Sequence, residues 1–152
     1  MPDEVTADRG PGRTRAAVDA WEAVFRLQAT LLRRFAADDV WQGLGLREYD
    51  VLHTLSLQPG GHARLGRLSE DVYLPQPSLS RLVDRLERDG LVRREDDPDD
   101  RRGVVVVLTA AGAQRQREIG GRHAASIARN LASMPAEDLA TLTRLAREAL
   151  GD

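Results

Sequence analysis

The strongest constraint on the fold is a change of hydrophobic period at Gly90. Before it, Leu79, Leu82, Val83 and Leu86 recur at three- and four-residue steps, the mark of a helix with one buried stripe. After it come two short aliphatic runs, Leu91–Glu95 and Arg102–Leu108, separated by Asp96-Asp97-Pro98-Asp99-Asp100. Such runs on either side of an Asp- and Pro-rich turn read as a β-hairpin. Gly90 stands where a helix favours a left-handed cap. A hairpin of two strands cannot bury itself, so it must lean on the helices around it.

The rest of the chain reads as helix. Trp21, Val24, Phe25, Leu27, Leu31, Leu32 and Phe35 form the stripe of a long first helix from Thr14, broken by Gly43 and Gly45. A second helix spans Arg47 to about Leu57, a short third Leu65 to Val72, and a fourth Pro75 to Asp89. Thr109 is placed to cap a helix from Ala110 to Ala132, and Pro135 to open a last one. Residues 1–13 read as a disordered arm. The expected organisation is that arm, an N-terminal helix and linker over 14–45, a winged helix-turn-helix over 46–109, and C-terminal helices over 110–152. The fold class is mainly α with a small two-stranded wing.

Function classes narrow quickly. Cysteine is absent, which excludes disulfides, thiolate metal sites and thiol nucleophiles. His53, His62 and His123 lie far apart in sequence with no paired ligand spacing, so no metal or other cofactor is expected. No phosphate-binding glycine loop or nucleophile elbow is present, and acid pairs such as Asp38-Asp39 and Glu95-Asp96 read as solvated turns. An enzyme is therefore not expected. The start of the chain lacks the apolar core of a signal peptide and no apolar run approaches a membrane span, so a cytoplasmic protein with no membrane partner is expected.

Charge balance does not advertise a nucleic-acid partner. The 152 residues carry a net charge of -2, and every basic residue is an arginine. Residues 64–102 hold nine arginines against ten acids. What points to DNA is position. The first turn of the fourth helix presents Gln76, Pro77, Ser78, Ser80 and Arg81, with Arg85 one turn further on. Arginine suits guanine and glutamine suits adenine in the major groove. Arg101 and Arg102 follow the acidic turn, where a wing tip enters a minor groove, and Asp100 is close enough to orient a guanidinium. The competing expectation is that Arg81, Arg85 and Arg88 merely pair with Asp84, Glu87 and Asp89 on a solvated face.

The stretch Leu91-Val92-Arg93-Arg94 through Asp97-Pro98-Asp99-Asp100-Arg101-Arg102 to Val107-Leu108-Thr109-Ala110-Ala111-Gly112 resembles the wing signature of the MarR family of transcriptional regulators. Ser78 to Val92 resembles that family's recognition helix, and Leu46 to Leu52 its second helix. The resemblance covers roughly residues 16–150. It implies a homodimer built through the terminal helices, binding a pseudo-palindromic double-stranded DNA operator as a ligand-responsive repressor. Arg102 would enter the minor groove with Asp100 holding it. Pro75 departs from the pattern, because many relatives carry a Ser or Thr cap there. The alternative is a winged-helix protein–protein interaction module that binds no DNA.

The resemblance also implies a small aromatic or anionic effector. Asp50, Arg81 and Arg94 fall where a urate-responsive subgroup places its acid and arginines, although Asp50 and Arg94 could equally form a structural ion pair. A pocket lined by Trp21, Phe25, Tyr49 and His53 is the general alternative.

Overall fold

A computed structural model describes residues 10–152. Helix α1 runs Pro11–Ala37, earlier than the expected start at Thr14. Of the arm expected over 1–13, residues 1–9 lie outside the described residues, and Pro11–Arg13 are helical. A proline at the first helical position has no N–H to lose and a φ already suited to the helix. The helix also ends before Gly43: Asp39 and Gln42 adopt left-handed φ values of 49° and 50°. Asp38 is not a solvated turn acid. Its Oδ2 accepts from the Ser126 hydroxyl at 2.5 Å and from Arg129 Nη2 at 2.7 Å. Those donors, the hydroxyl first, hold its carboxyl below the usual carboxylate range.

The core lies between α2 (Leu46–Leu57), α3 (Leu65–Asp71), α4 (Gln76–Arg88) and the wing. Leu52, Leu55, Leu68, Leu79, Val83 and Leu86 are fully buried there, and Val106 closes the cluster from the sheet. Helix α5 (Ala110–Asn130) packs on α2. Helix α6 (Ala136–Leu150) buries none of its residues.

The sheet has three antiparallel strands rather than the expected two. Strand β1 (His62–Arg64) pairs with β3 (Asp100–Leu108), which pairs with β2 (Val92–Asp97), in the order β1-β3-β2. The reason lies in Val104–Val107. Four valines in a row cannot alternate between core and solvent, so this strand must be covered on both faces. Val106 faces the helices and is fully buried, while Val105 and Val107, on the other face, are only 8% exposed. Arg64 and Glu95 flank Val105, and His62 and Arg93 flank Val107. The strands also extend further into the acidic stretch than composition suggests, leaving Pro98-Asp99 as the turn between the paired Asp97 and Asp100.

Two junctions lock the wing to the helices. Gly90 has φ 72°, and the Leu91 amide then returns to Leu86 O at 2.9 Å. Thr109 caps α5 by accepting from the Gly112 amide at 3.0 Å, and donates its hydroxyl toward the carbonyls of Gly90 and Leu91. A Cβ at Gly112 would collide with Leu91 O, so only glycine lets α5 approach this closely.

Candidate nucleic-acid interface

The recognition helix takes its shape from a proline frame. Pro75 is the N-cap and Pro77 lies in the first turn, so α4 begins at Gln76. Pro75 offers no side-chain cap, but its carbonyl accepts from the Ser78 and Leu79 amides, each at 3.0 Å. The turn before it is tightened by the Ser69 hydroxyl, which donates to Leu74 O. Tyr73 in that turn holds φ 53° with 86% of its surface exposed. Leu79, Leu82, Val83 and Leu86 are buried, which turns Gln76, Pro77, Arg81 and Arg85 to solvent, with Ser78 and Ser80 half-buried. The Gln76 amide reaches back over α3, where a Cβ at Gly66 would lie 3.3 Å from it.

Sorting the nine arginines of this region by partner separates struts from free probes. Arg94 is a strut. Its guanidinium bonds Asp84 Oδ1 at 2.7 Å and Glu87 Oε2 at 3.1 Å, and donates to Ser80 O at 3.0 Å and Ser80 Oγ at 3.2 Å. Its backbone amide donates to Glu87 Oε1 at 2.8 Å. This knot ties β2 to α4 and engages the Ser80 hydroxyl. Arg64 is a second strut: its Nε meets the buried Asp97 at 2.6 Å, and its Nη2 meets Asp99 at 3.4 Å. Asp97 also accepts from the Asp99 amide, and these bonds hold its carboxyl below the usual range. Arg93 pairs with Glu95, and Arg67 with Glu70 and Asp71. Arg85 is held at 2.6 Å by Glu48 of α2.

Four arginines, Arg81, Arg88, Arg101 and Arg102, have no carboxylate partner among the described residues. The pairing expected of Arg81, Arg85 and Arg88 with Asp84, Glu87 and Asp89 does not form: Arg94 bonds Asp84 and Glu87, and Glu48 holds Arg85. Arg88 instead donates to Asp84 O at 3.3 Å. The expected grip of Asp100 on a wing guanidinium is also corrected. Its Oδ1 accepts from the Arg102 backbone amide at 2.9 Å, which sets the strand and leaves the guanidinium free.

The expected effector residues are only partly brought together. Tyr49 and His53 stack at 5.7 Å beside Asp50, in a groove of about 620 Å³ between α2 and α5. Gln116, Arg117 and His123 complete its wall, and the Gln116 amide sits 3.3 Å from His53 Nδ1. His123 packs edge-on against Phe35 at 4.8 Å and lies 4.9 Å from Trp41. Burial, then the charge of His53, push its pKa down. Burial pushes the Asp50 carboxyl up, against the opposing charge of Arg47.

Trp21 and Phe25 are not part of this groove. They touch each other at 6.1 Å on α1 and are 66% and 55% exposed. Arg94 is committed to its knot, and the nearest cation to Asp50 is Arg47 at 4.0 Å, so the Asp50–Arg94 pair does not exist either. Sequence reading missed Glu48, Gln116 and His123. Their spacing on α2 and α5 marks them as helical, but nothing local says which face meets which.

A short helix, a tight turn, a longer helix and a β wing define a winged helix-turn-helix protein. Residues 42–103 match the family model described as MarR family. The chain belongs to that family and is a transcriptional regulator, not an enzyme. It is 30% identical over 112 residues to the HTH-type transcriptional regulator YkoM of Bacillus subtilis, covering 74% of this chain and 71% of that one. It is 44% identical over 71 residues to YcgE of the same organism, a match that spans 46% of each protein. Among solved structures it resembles AbsC of Streptomyces coelicolor, a MarR family regulator, at 30% identity and TM-score 0.76, covering 88% and 93% of the two chains. Sco3205 of the same organism, solved in complex with DNA, is 26% identical with TM-score 0.74, covering 93% and 87%. PcaV, also from that organism and solved with its natural ligand, is 28% identical with TM-score 0.74, covering 85% and 89%. No described helix is long and apolar enough to cross a membrane.

Proposed function

We propose that this chain acts in the cytoplasm as a homodimeric, ligand-responsive repressor on a pseudo-palindromic operator. The observation that carries the reading is the distribution of uncommitted arginines. Arg81 stands on the solvent face of α4, and Arg101 and Arg102 at the wing tip, while Arg64, Arg85, Arg93 and Arg94 are tied to carboxylates and Arg88 donates to the Asp84 carbonyl. Two probes from one rigid lobe suit a major groove and the adjacent minor groove. Gln76, Pro77, Ser78 and Ser80 would fill the groove around Arg81, and Asp100 would set the path of the wing strand.

A second copy of the chain is the partner that the terminal helices call for. Val18, Trp21, Val24 and Phe25 are exposed on α1, and α6 buries nothing although it carries Leu139, Leu142, Leu145 and Leu150. Pairing these helices would place two α4 helices on one side, matched to half-sites about 34–36 Å apart. The effector reading rests on the α2–α5 groove, whose Tyr49, His53 and Arg117 suit a small aromatic or anionic compound. Binding there would act by changing the separation of the two lobes.

The test is fluorescence anisotropy on an operator selected from genomic fragments, with the wild type and Arg102→Ala compared. Arg102→Ala is expected to lose about 1–3 kcal/mol of operator affinity with its fold and dimer intact. Unchanged affinity removes the minor-groove role, and a wild type with no salt-dependent, sequence-specific binding removes the DNA reading altogether.

A further inference from the structure

Arg85 sits on the exposed face of α4 one turn beyond Arg81, where a recognition helix leaves the groove and passes the phosphate rim. By position it should be a phosphate contact. It is instead already bonded. Arg85 Nη2 donates to Glu48 Oε1 at 2.6 Å, across 37 residues of sequence. The Glu48 side chain is 17% exposed, while that of Arg85 remains 53% exposed. Glu48 is also fixed from behind: it lies in the first turn of α2, where it meets favourable helix partial charge, and its carboxylate covers Gly45 so closely that a Cβ there would collide with it. The acid is held in place and the arginine is reachable from solvent. That asymmetry separates this pair from the Arg94 knot, whose cation is the more enclosed member.

We infer that Glu48 is a built-in stand-in for DNA phosphate that competes for Arg85 and so limits the chain's affinity for DNA. The inference rests on the operator-binding reading above. Each phosphate that reaches Arg85 must displace a well-placed carboxylate, and the gain from counterion release is offset by the broken pair. The effect falls on affinity and its salt dependence, not on sequence choice, because phosphate contacts carry no base information.

The experiment measures the dissociation constant for operator and for non-operator duplex across a salt series, in the wild type, Glu48→Gln, Glu48→Gln/Arg85→Ala and Asp89→Asn. Glu48→Gln is expected to bind both duplexes more tightly by the same factor, with the slope of log K against log salt steeper by about 0.9 for each protomer engaged. Adding Arg85→Ala is expected to remove the extra slope. Asp89→Asn, which deletes an exposed acid that bridges no arginine among the described residues, controls for the loss of one negative charge and is expected to leave the slope unchanged. Melting temperatures of all four confirm that each is folded. A Glu48→Gln slope equal to that of the wild type, weaker binding by Glu48→Gln, or an equal steepening in Asp89→Asn each overturns the inference. These outcomes are read only against a wild type that binds its operator, so they are distinct from failure of the operator reading itself.

Discussion

Arg94 offers the sharpest test of how the wing is held. Its guanidinium contacts Asp84, Glu87 and two oxygens of Ser80, and the Arg94 side chain is 23% exposed. Arg94→Met keeps the apolar stem and deletes the charge. Asp84 and Glu87, three residues apart on one helix, are then left as uncompensated neighbours. Breaking a fully buried pair costs about 3–5 kcal/mol. An exposed pair is worth about 0–1 kcal/mol. The two carboxylates here are 54% and 39% exposed, so a loss of about 2 kcal/mol is expected. In a chain of this size that lowers the melting temperature by about 4–8 °C at fixed protein concentration. Thermal and urea unfolding, with a Glu87→Gln double-mutant cycle, provide the measurement. An unchanged melting temperature would refute the strut. If the same variant kept its stability but lost its response to an effector, Arg94 would be the ligand residue that the family resemblance suggests.

Three further outcomes follow from the same geometry. Arg81→Ala is expected to relax sequence preference, and a uniform loss across binding sites would instead make Arg81 a phosphate contact. Gly112→Ala is expected to destabilise by about 3 kcal/mol, because its Cβ meets Leu91 O rather than a movable side chain; unfolding within 1 °C of wild type would show that α5 can shift away. Stability is expected to decline as pH falls through the ordinary histidine value of 6.5, because the folded chain holds His123 below that value and the unfolded chain takes the proton more readily. The contribution is whole above that value and is lost as pH drops through it toward the depressed one. The like charge of His53 deepens the His123 depression, whereas the raised Asp50 carboxyl opposes the trend only on the acid side. His123→Phe is expected to flatten the urea midpoint against pH, and an unaltered profile would count against the assignment.

Much of this protein is written in local sequence. The period of Leu79, Leu82, Val83 and Leu86 sets one buried stripe, Gly90 can take a left-handed cap, Thr109 can cap the next helix, and the prolines open α4 without costing a bond. These depend on neighbours within a few residues, so helix, turn, helix and hairpin are all legible from the chain alone. The family resemblance is legible for the same reason. Tertiary structure decided the rest. Strand β1 is three residues of unremarkable composition, held extended by its pairing with β3, where its His62 and Arg64 lie beside Val107 and Val105. The roles of the arginines are likewise not local. Nothing near Arg85 in sequence announces Glu48, Arg64 finds Asp97 across 33 residues, and the aromatic stripe on α1 stays away from Tyr49 and His53. An exposed charge has many partners within reach of its side chain, and small differences in burial and geometry select among them. The number of arginines on this face is therefore a property of the sequence, but which of them remain free for DNA is settled only when the fold has chosen their partners.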